Sequence, residues 1–393
     1  MRQRILSFLE RAREGQFALL KELVELQSHT NNIEGVNRVG RAMASALAAT
    51  AMQLEVRSSS TVGDHLVFRS PACTGTGVRP ILLVGHMDTV FPPDSPFKTY
   101  REEGELVRGP GVIDMKGGLV VAVQALLALH RTGLLARIPV IFICNSDEET
   151  GSLDSRELIT REAEKAQCGL IFECGGLGGG IVTGRKGKIG YRVEAFGRAG
   201  HAAFAKPGPK PSALLALAHA IIALEALNDP GQGITLNVGR VEGGIGPTTI
   251  PERAVALVDT RVKDSAAAVA LEARLHKVLS PKNPDTRLVV EAETSRLPME
   301  QTAPNRYLFS LVAEQAGTLG QHVVEEFRSG VSDANIIAAS GTPVLDGLGP
   351  IGDQDHSDRE YMVRQSLPER CALATMTILE LWSRANQGEL FRE

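Results

Sequence analysis

Short runs that are apolar on both faces alternate with stretches of helical periodicity in the first half of the chain. They predict strands at 65–70, 80–86, 138–145 and 169–174 and helices at roughly 15–27, 35–51, 115–133 and 153–166. Strands that are apolar on both faces are typical of parallel sheets covered by helices. The pattern therefore predicts an α/β domain with a mostly parallel sheet.

The pattern changes after residue 184. "KGKIGYRVEAFGR", which starts at residue 186, alternates between apolar and polar positions as a half-exposed strand does. The whole segment reads β-α-β-β-α-β, the order of a ferredoxin-like unit. After about residue 297, the alternation of strand and helix patterns resumes and continues to the last predicted helix. We therefore expect an α/β domain formed by 1–184 and 297–393, interrupted by an inserted α+β domain at 185–296.

Composition and charge exclude several classes of protein. Apolar residues make up 43% and charged residues 22%, and the formal net charge is -4, so no basic surface for nucleic acid is indicated. No apolar stretch reaches the roughly 20 residues of a membrane span. The first residues lack a secretory signal pattern, so we expect a cytoplasmic protein. Five cysteines without a C-x-x-C pair favour neither a disulfide framework nor a thiolate zinc site.

Acidic and histidine side chains recur where predicted strands end. Each has an ordinary explanation when taken alone: the histidine of an H-x-D pair is more often a surface or core residue, and an Asp before a helix is often an N-cap. Together they form a nitrogen and oxygen ligand set that suits Zn²⁺ without a thiolate. The motifs are "GHMDTV" (His86, Asp88), "GPGVIDMKGG" (Asp114), "NSDEETGS" (Asp147, Glu148, Glu149), "LIFECGG" (Glu173) and "GDQDHSDREYM" (His356).

Other chemistries find little support in the sequence. The glycine-rich "GGLGGG" at 175–180 does not satisfy G-x-G-x-x-G and leads into a strand, so a dinucleotide loop is rejected. The sequence contains neither H-E-x-x-H nor G-x-S-x-G, which argues against single-zinc proteases and serine hydrolases.

The five motifs, in this order and at this spacing, resemble the two-zinc aminoacylase/carboxypeptidase superfamily, peptidase family M20. That family includes glutamate carboxypeptidase, acetylornithine deacetylase and succinyl-diaminopimelate desuccinylase. "DEETGSLDSRELI", "FRSGVSDAN" and "HSDREYM" look most like the glutamate carboxypeptidase branch. The resemblance extends over essentially the whole chain.

The resemblance implies a role for each motif residue. His86 and Glu173 would bind one Zn²⁺, Glu149 and His356 the other, and Asp114 would bridge both together with a water or hydroxide. Asp88 would orient the His86 imidazole, and Glu148 would be the general base. Co²⁺ or Mn²⁺ could replace zinc. The peptide bond between Asp114 and Met115 would be cis.

The resemblance also implies that the inserted domain serves as a lid and makes a homodimer. His201 in "GRAGHAAFAKPG" would reach the partner's active site, and Arg261 in "VDTRV" would bind a substrate carboxylate. Alternatively, His201 is a turn residue, and Arg261 pairs with Asp259 or Glu252. Thr248 stands where many relatives have an Asn that helps to bind the substrate, which puts the carboxylate anchor and the preference for a C-terminal glutamate in question.

The sequence therefore predicts a zinc-dependent carboxypeptidase or dipeptidase that cleaves an amide bond beside a free carboxylate. An N-acyl-amino-acid deacylase is the alternative within the same family. A third hypothesis is a catalytically inactive binding protein on the same fold, which the intact ligand set disfavours. The expected partners are a small peptide or N-acyl amino acid and a second copy of the chain, with no nucleic acid or membrane.

Overall fold

A computed structural model describes residues 1–75, 77–204, 208, 210–280 and 282–391. The chain divides into two compact units. The first comprises residues 1–184, 301–327 and 332–393, and the second comprises residues 185–300 and 328–331. The second unit thus takes in a short return segment that the sequence pattern does not mark.

The helices of both units are amphipathic or buried. They are α1 (Arg2–Arg11), α2 (Arg13–Glu25), α3 (Ile33–Leu47), α4 (Lys116–Arg131), α5 (Arg156–Lys165), α6 (Ala213–Glu225), α7 (Ser265–Val278), α8 (Ala303–Thr318), α9 (Asp333–Ala339) and α10 (Ser366–Gln387).

The strands range from two to ten residues in length. They are β1 (Gln53–Arg57), β2 (His65–Arg69), β3 (Ile81–His86), β4 (Arg101–Glu103), β5 (Leu106–Arg108), β6 (Val140–Asn145), β7 (Cys168–Ile171), β8 (Gly180–Arg185), β9 (Gly187–Phe196), β10 (Gly200–His201), β11 (Thr235–Gly243), β12 (Thr249–Ile250), β13 (Arg253–Val262), β14 (Arg287–Arg296), β15 (Val324–Arg328), β16 (Val344–Leu345), β17 (Gly352–Asp353) and β18 (Tyr361–Val363).

The first unit is built on a six-stranded sheet with the order β1-β2-β6-β3-β7-β16. The pairs from β6 to β16 are parallel, whereas β1 and β2 run antiparallel to their neighbours. Every residue of β3, β6 and β7 is buried. The predicted α/β fold with a parallel-rich sheet is confirmed.

Helix α4 lies in the core of this unit. Nearly all of its residues are buried, and it packs against α10 and α2. Its start approaches the backbone beyond β7 so closely that a Cβ at Gly118 would collide with the carbonyl oxygen of Phe172. Glycine at this position therefore lets the turn that carries Asp114 lie beside Glu173.

The second unit is a four-stranded antiparallel sheet with the order β11-β13-β9-β14. Buried positions alternate with half-exposed ones along β9 and β13. Their buried side chains pack against α6 and α7. This strand order and helix placement are those of a ferredoxin-like unit, and the unit's own helices cover one face of its sheet.

Several elements were not predicted. β1 is an exposed edge strand, and α1 buries only two side chains, Ile5 and Leu9, so neither produces an apolar run. No element was predicted between residues 86 and 115, where the structure has β4 and β5, and β4 is exposed at all three positions. Among the described residues, no helix is both long enough and apolar enough to cross a membrane.

Candidate metal centre

The topology of the first unit explains why distant motifs meet. β3, β6 and β7 are neighbouring parallel strands, so their carboxyl ends lie at one edge of the sheet. His86 ends β3, Glu148 and Glu149 follow β6, and Glu173 follows β7. Asp114 precedes α4 at the same edge, joined to Met115 by the cis peptide bond that was predicted.

Asp114 is the centre of the cluster because its two carboxylate oxygens face different partners. Oδ1 lies 3.1 Å from Nε2 of His86, which lies 3.5 Å from Oε1 of Glu173. Oδ2 lies 3.0 Å from Nε2 of His356, which lies 3.2 Å from Oε2 of Glu149. One carboxylate thus joins two imidazole–carboxylate pairs.

The pKa of each of these groups depends strongly on the charges and hydrogen bonds of the others. Burial acts to raise the pKa of Asp114, but hydrogen bonds from His356 and His86 outweigh it and hold the pKa below the usual value. Hydrogen bonds to Asp114 and Glu149 raise the pKa of His356 to about 11. Burial, together with the charge of Asp114, raises the pKa of Glu173 to about 8. Without a compensating cation, this concentration of buried carboxylates is costly.

The donor set fits divalent cations. Ligand atoms of His86, Asp114 and Glu149 all lie within 4.8 Å of one another, and so do those of Asp114, Asp355 and His356. Oε1 of Glu149 is buried and accepts no hydrogen bond within the described part of the chain. Imidazole nitrogens and carboxylate oxygens are the ligands that Zn²⁺ and related ions accept in closed protein sites. Asp355 was not singled out from the sequence.

Asp88 contacts more than the His86 imidazole. Nδ1 of His86 donates to the backbone carbonyl oxygen of Asp88 at 3.0 Å and lies 3.4 Å from its carboxylate. The carboxylate accepts the N–H groups of Glu148 and Glu149 at 3.3 Å and the hydroxyl of Thr30 at 2.6 Å. Asp88 therefore connects His86 to the loop that carries Glu148 and Glu149. Thr30, which belongs to none of the five motifs, helps to hold the Asp88 carboxylate.

Asp147 has a local structural role. Its Oδ2 accepts the N–H groups of Asp154 at 2.8 Å and Ser155 at 3.3 Å, just before α5. Its side chain therefore holds the backbone of the segment that leads into α5. The sequence alone left this residue without a role.

His201 and Arg261 lie in the second unit. His201 is exposed on β10, where it pairs in register with Thr249, and the N–H of Ala202 donates to the carbonyl oxygen of Thr248 at 2.9 Å. The structure therefore brings together His201 and the segment that contains Thr248. Nε of Arg261 donates to Oδ2 of Asp259 at 2.9 Å, the structural pairing considered as an alternative.

The sequence and the fold together define the class of protein. The profile of peptidase family M20/M25/M40 matches residues 82–380, and the chain belongs to this family. The predicted family membership is confirmed, and membership implies a hydrolase that uses a divalent metal.

Two curated relatives and one solved structure illustrate this placement. The chain is 30% identical to carboxypeptidase G2 of Pseudomonas sp. (strain RS-16) over 92% of this chain and 88% of the relative. It is 28% identical to a succinyl-diaminopimelate desuccinylase of Ectopseudomonas mendocina (strain ymp) over 78% of this chain and 84% of the relative. Aminopeptidase PepT from Bacillus cereus ATCC 10987 shares the fold, with a TM-score of 0.76 and 22% identity over 94% of this chain and 98% of that chain.

Proposed function

We propose that the protein is a hydrolase with a two-zinc centre that cleaves an amide or peptide bond beside a free carboxylate. The observation that carries this proposal is the placement of Asp114, whose two oxygens each face a different histidine, and each of these histidines lies beside a different glutamate. A structural cluster has no need for such a shared carboxylate, whereas a two-metal site does.

The proposal assigns the ligands by these contacts. His86 and Glu173 hold one ion, His356 and Glu149 hold the other, and Asp114 is shared. The Nδ1 of His86 donates to a carbonyl oxygen, which leaves the lone pair of Nε2 for the metal in the neutral ring. Asp88 and Thr30 keep that ring and the acidic loop in place.

Glu148 is the proposed general base. When bound, the ions polarise the scissile carbonyl and lower the pKa of a water molecule. Glu148 is half-buried beside Glu149, and its backbone N–H is held by Asp88. In this role Glu148 removes the proton of the attacking water and delivers it to the leaving amine.

The second unit is proposed to complete the site. His201 stabilises the oxyanion of the tetrahedral intermediate in the partner subunit of a homodimer, and Arg261 binds the substrate's free carboxylate. The exposure of His201 leaves its ring accessible. The outer strands of the sheet in the second unit, β11 and β14, are the proposed edges for association.

Two classes of substrate deserve comparison. The resemblance to carboxypeptidase G2 supports peptides and amides of C-terminal amino acids. The resemblance to a succinyl-diaminopimelate desuccinylase supports N-acyl amino acids, so deacylation is the second candidate. Thr248 lies in the segment beside His201 and is the position at which substrate preference could differ from that of relatives with Asn.

A substrate panel tests the proposal. The zinc-loaded protein is assayed against dipeptides, folyl-type glutamate amides, and acetyl and succinyl amino acids, each with a matched substrate in which the free carboxylate is amidated. We expect hydrolysis of the carboxylate forms and a much lower kcat/KM for the amidated forms. The proposal is wrong if the metal-loaded protein hydrolyses none of these amides.

A further inference from the structure

Glu360 is a fully buried carboxylate in the same short segment as His356, between β17 and β18. It is 0% exposed. Its Oε2 accepts the N–H of Gly111 at 2.9 Å, and its Oε1 accepts the N–H groups of Ile113 at 2.9 Å and Asp114 at 3.2 Å. A single side chain therefore binds three backbone donors of the turn that carries the shared carboxylate.

Lys116 is a second buried side chain at this turn. Lys116 is 1% exposed, its Nζ donates to the carbonyl oxygen of Leu26 at 2.8 Å, and it is attracted to Glu360. Its own backbone N–H donates to the carbonyl oxygen of Gly111 at 2.8 Å, which closes the turn.

The placement of Glu360 has a geometric consequence for the metal centre. The segment that carries Glu360 also carries His356, and the Glu360 side chain binds the backbone of Asp114, which both imidazole–carboxylate pairs share. A shift of the 111–114 turn would move both oxygens of Asp114 away from their partners together. The hydrogen bonds that hold this turn in place therefore affect both proposed ion sites at once.

We infer that Glu360 is a positioning residue that fixes the backbone at Asp114 relative to His356 and thereby sets the affinity of the centre for divalent ions. This inference rests on the proposed function, since it requires Asp114 to be a ligand. Glu360 acts through Asp114 and is not itself a catalytic residue. Substitution of groups that orient metal ligands commonly lowers metal affinity by about 10–100-fold.

Glu360→Gln is the most direct test because it keeps the size of the side chain. The amide oxygen can replace only one of the two acceptors, and the amide NH₂ would then face an N–H donor of the turn. Metal-free wild type and variant are titrated with Zn²⁺ and with Co²⁺ by calorimetry, and circular dichroism checks that both are folded. We expect a loss of affinity of about 10-fold or more.

Glu162→Gln is the matched control. Glu162 is also a carboxylate with a 1% exposed side chain, and it accepts hydrogen bonds from Arg69 at 2.8 Å and Lys165 at 3.2 Å, on α5 and away from the cluster. Its substitution should lower the thermal midpoint and leave metal affinity unchanged. A merely structural role for Glu360 predicts the same behaviour for Glu360→Gln.

The outcomes separate the two proposals. If folded Glu360→Gln binds Co²⁺ and Zn²⁺ within twofold of wild type, the positioning role is wrong while the metal centre stands. If the wild type itself binds neither ion, the proposed function fails first. If Glu360→Gln does not fold, Glu360→Asp, which keeps the charge beside Lys116 but withdraws the acceptors, is titrated and judged by the same twofold limit.

Discussion

The two units hold their candidate functional side chains in different ways. In the first unit, five ligand candidates touch one another, and the side chains of His86 and Glu149 are only 1% and 5% exposed. In the second unit, His201 is exposed, and Arg261 is engaged by Asp259. Burial of several carboxylates in the first unit costs folding free energy, and a function such as metal binding would explain why they are there. The residues in the second unit cost the fold little whether or not they have a function.

The difference follows from topology. Parallel strands bring their carboxyl ends to one edge, so motifs that are far apart in sequence converge there. In an antiparallel sheet, successive strands end at opposite edges, so motifs at consecutive strand ends do not converge. The proposed metal centre therefore rests on geometry within one unit, while the proposed roles of His201 and Arg261 depend on a substrate or a second chain.

Metal removal should have the largest effect on the first unit. Dialysis against a chelator is expected to abolish hydrolysis, and Zn²⁺, Co²⁺ or Mn²⁺ should restore it. The chelated protein should also unfold more easily, because an ion at 100 times its Kd stabilises the folded state by about 2.7 kcal/mol. Activity and thermal midpoint are measured together with metal content. Full activity in protein that contains no measurable metal would contradict the proposed centre.

The adjacent residues Glu148 and Glu149 should respond differently to the same change. Glu148→Gln should lower kcat by about 10²–10⁴-fold, the usual contribution of a general base, and leave metal stoichiometry intact. Glu149→Gln should lose metal, because it removes an anionic ligand. Kinetics and metal analysis of both variants distinguish these roles. Retention of kcat within tenfold in Glu148→Gln would rule out the base.

Much of the first unit could be predicted because its core repeats a simple pattern. The apolar runs of β3, β6 and β7 lie where expected, and the acidic and histidine residues after them meet because these strands are parallel neighbours. The exposed strand β1 and the helix α1 were missed, since neither has a strong apolar pattern.

The contacts that support the site could not be predicted from the sequence. Thr30 reaches Asp88, and Glu360 reaches the turn of Asp114, across 58 and 246 positions of the chain. No local pattern indicates which threonine or glutamate makes such a contact. The motif residues were predictable because the family resemblance marks them, whereas their partners are defined only by tertiary packing.

His201 tests whether the second unit takes part in catalysis. His201→Ala should lower kcat by about 10²–10³-fold, as expected for loss of an oxyanion donor. Mixing this variant with Glu148→Gln under conditions of subunit exchange should restore activity, because a mixed dimer has one site with both groups intact. If the mixture is no more active than its separate components, His201 does not act across a dimer.

Arg261 tests the alternative in which the second unit only pairs charges. We expect Arg261→Lys to raise KM for carboxylate substrates about tenfold, equivalent to about 1.4 kcal/mol of lost binding, with little change in kcat. Asp259→Asn is the control, because it removes the partner and leaves the guanidinium. If both variants change only the free energy of unfolding, by about 0.2–1 kcal/mol, the arginine is structural.

Asp147 should give the smallest effect and marks the limit of the metal centre. Its carboxylate accepts the N–H groups of Asp154 and Ser155 before α5, so Asp147→Ala should lower the free energy of unfolding by about 1 kcal/mol, the usual net contribution of a hydrogen bond. Metal stoichiometry should stay at the wild-type value, unlike in Glu149→Gln. Denaturant unfolding and metal analysis provide both numbers. A loss of bound metal in Asp147→Ala would mean that all three neighbouring carboxylates, and not only Glu148 and Glu149, serve the centre.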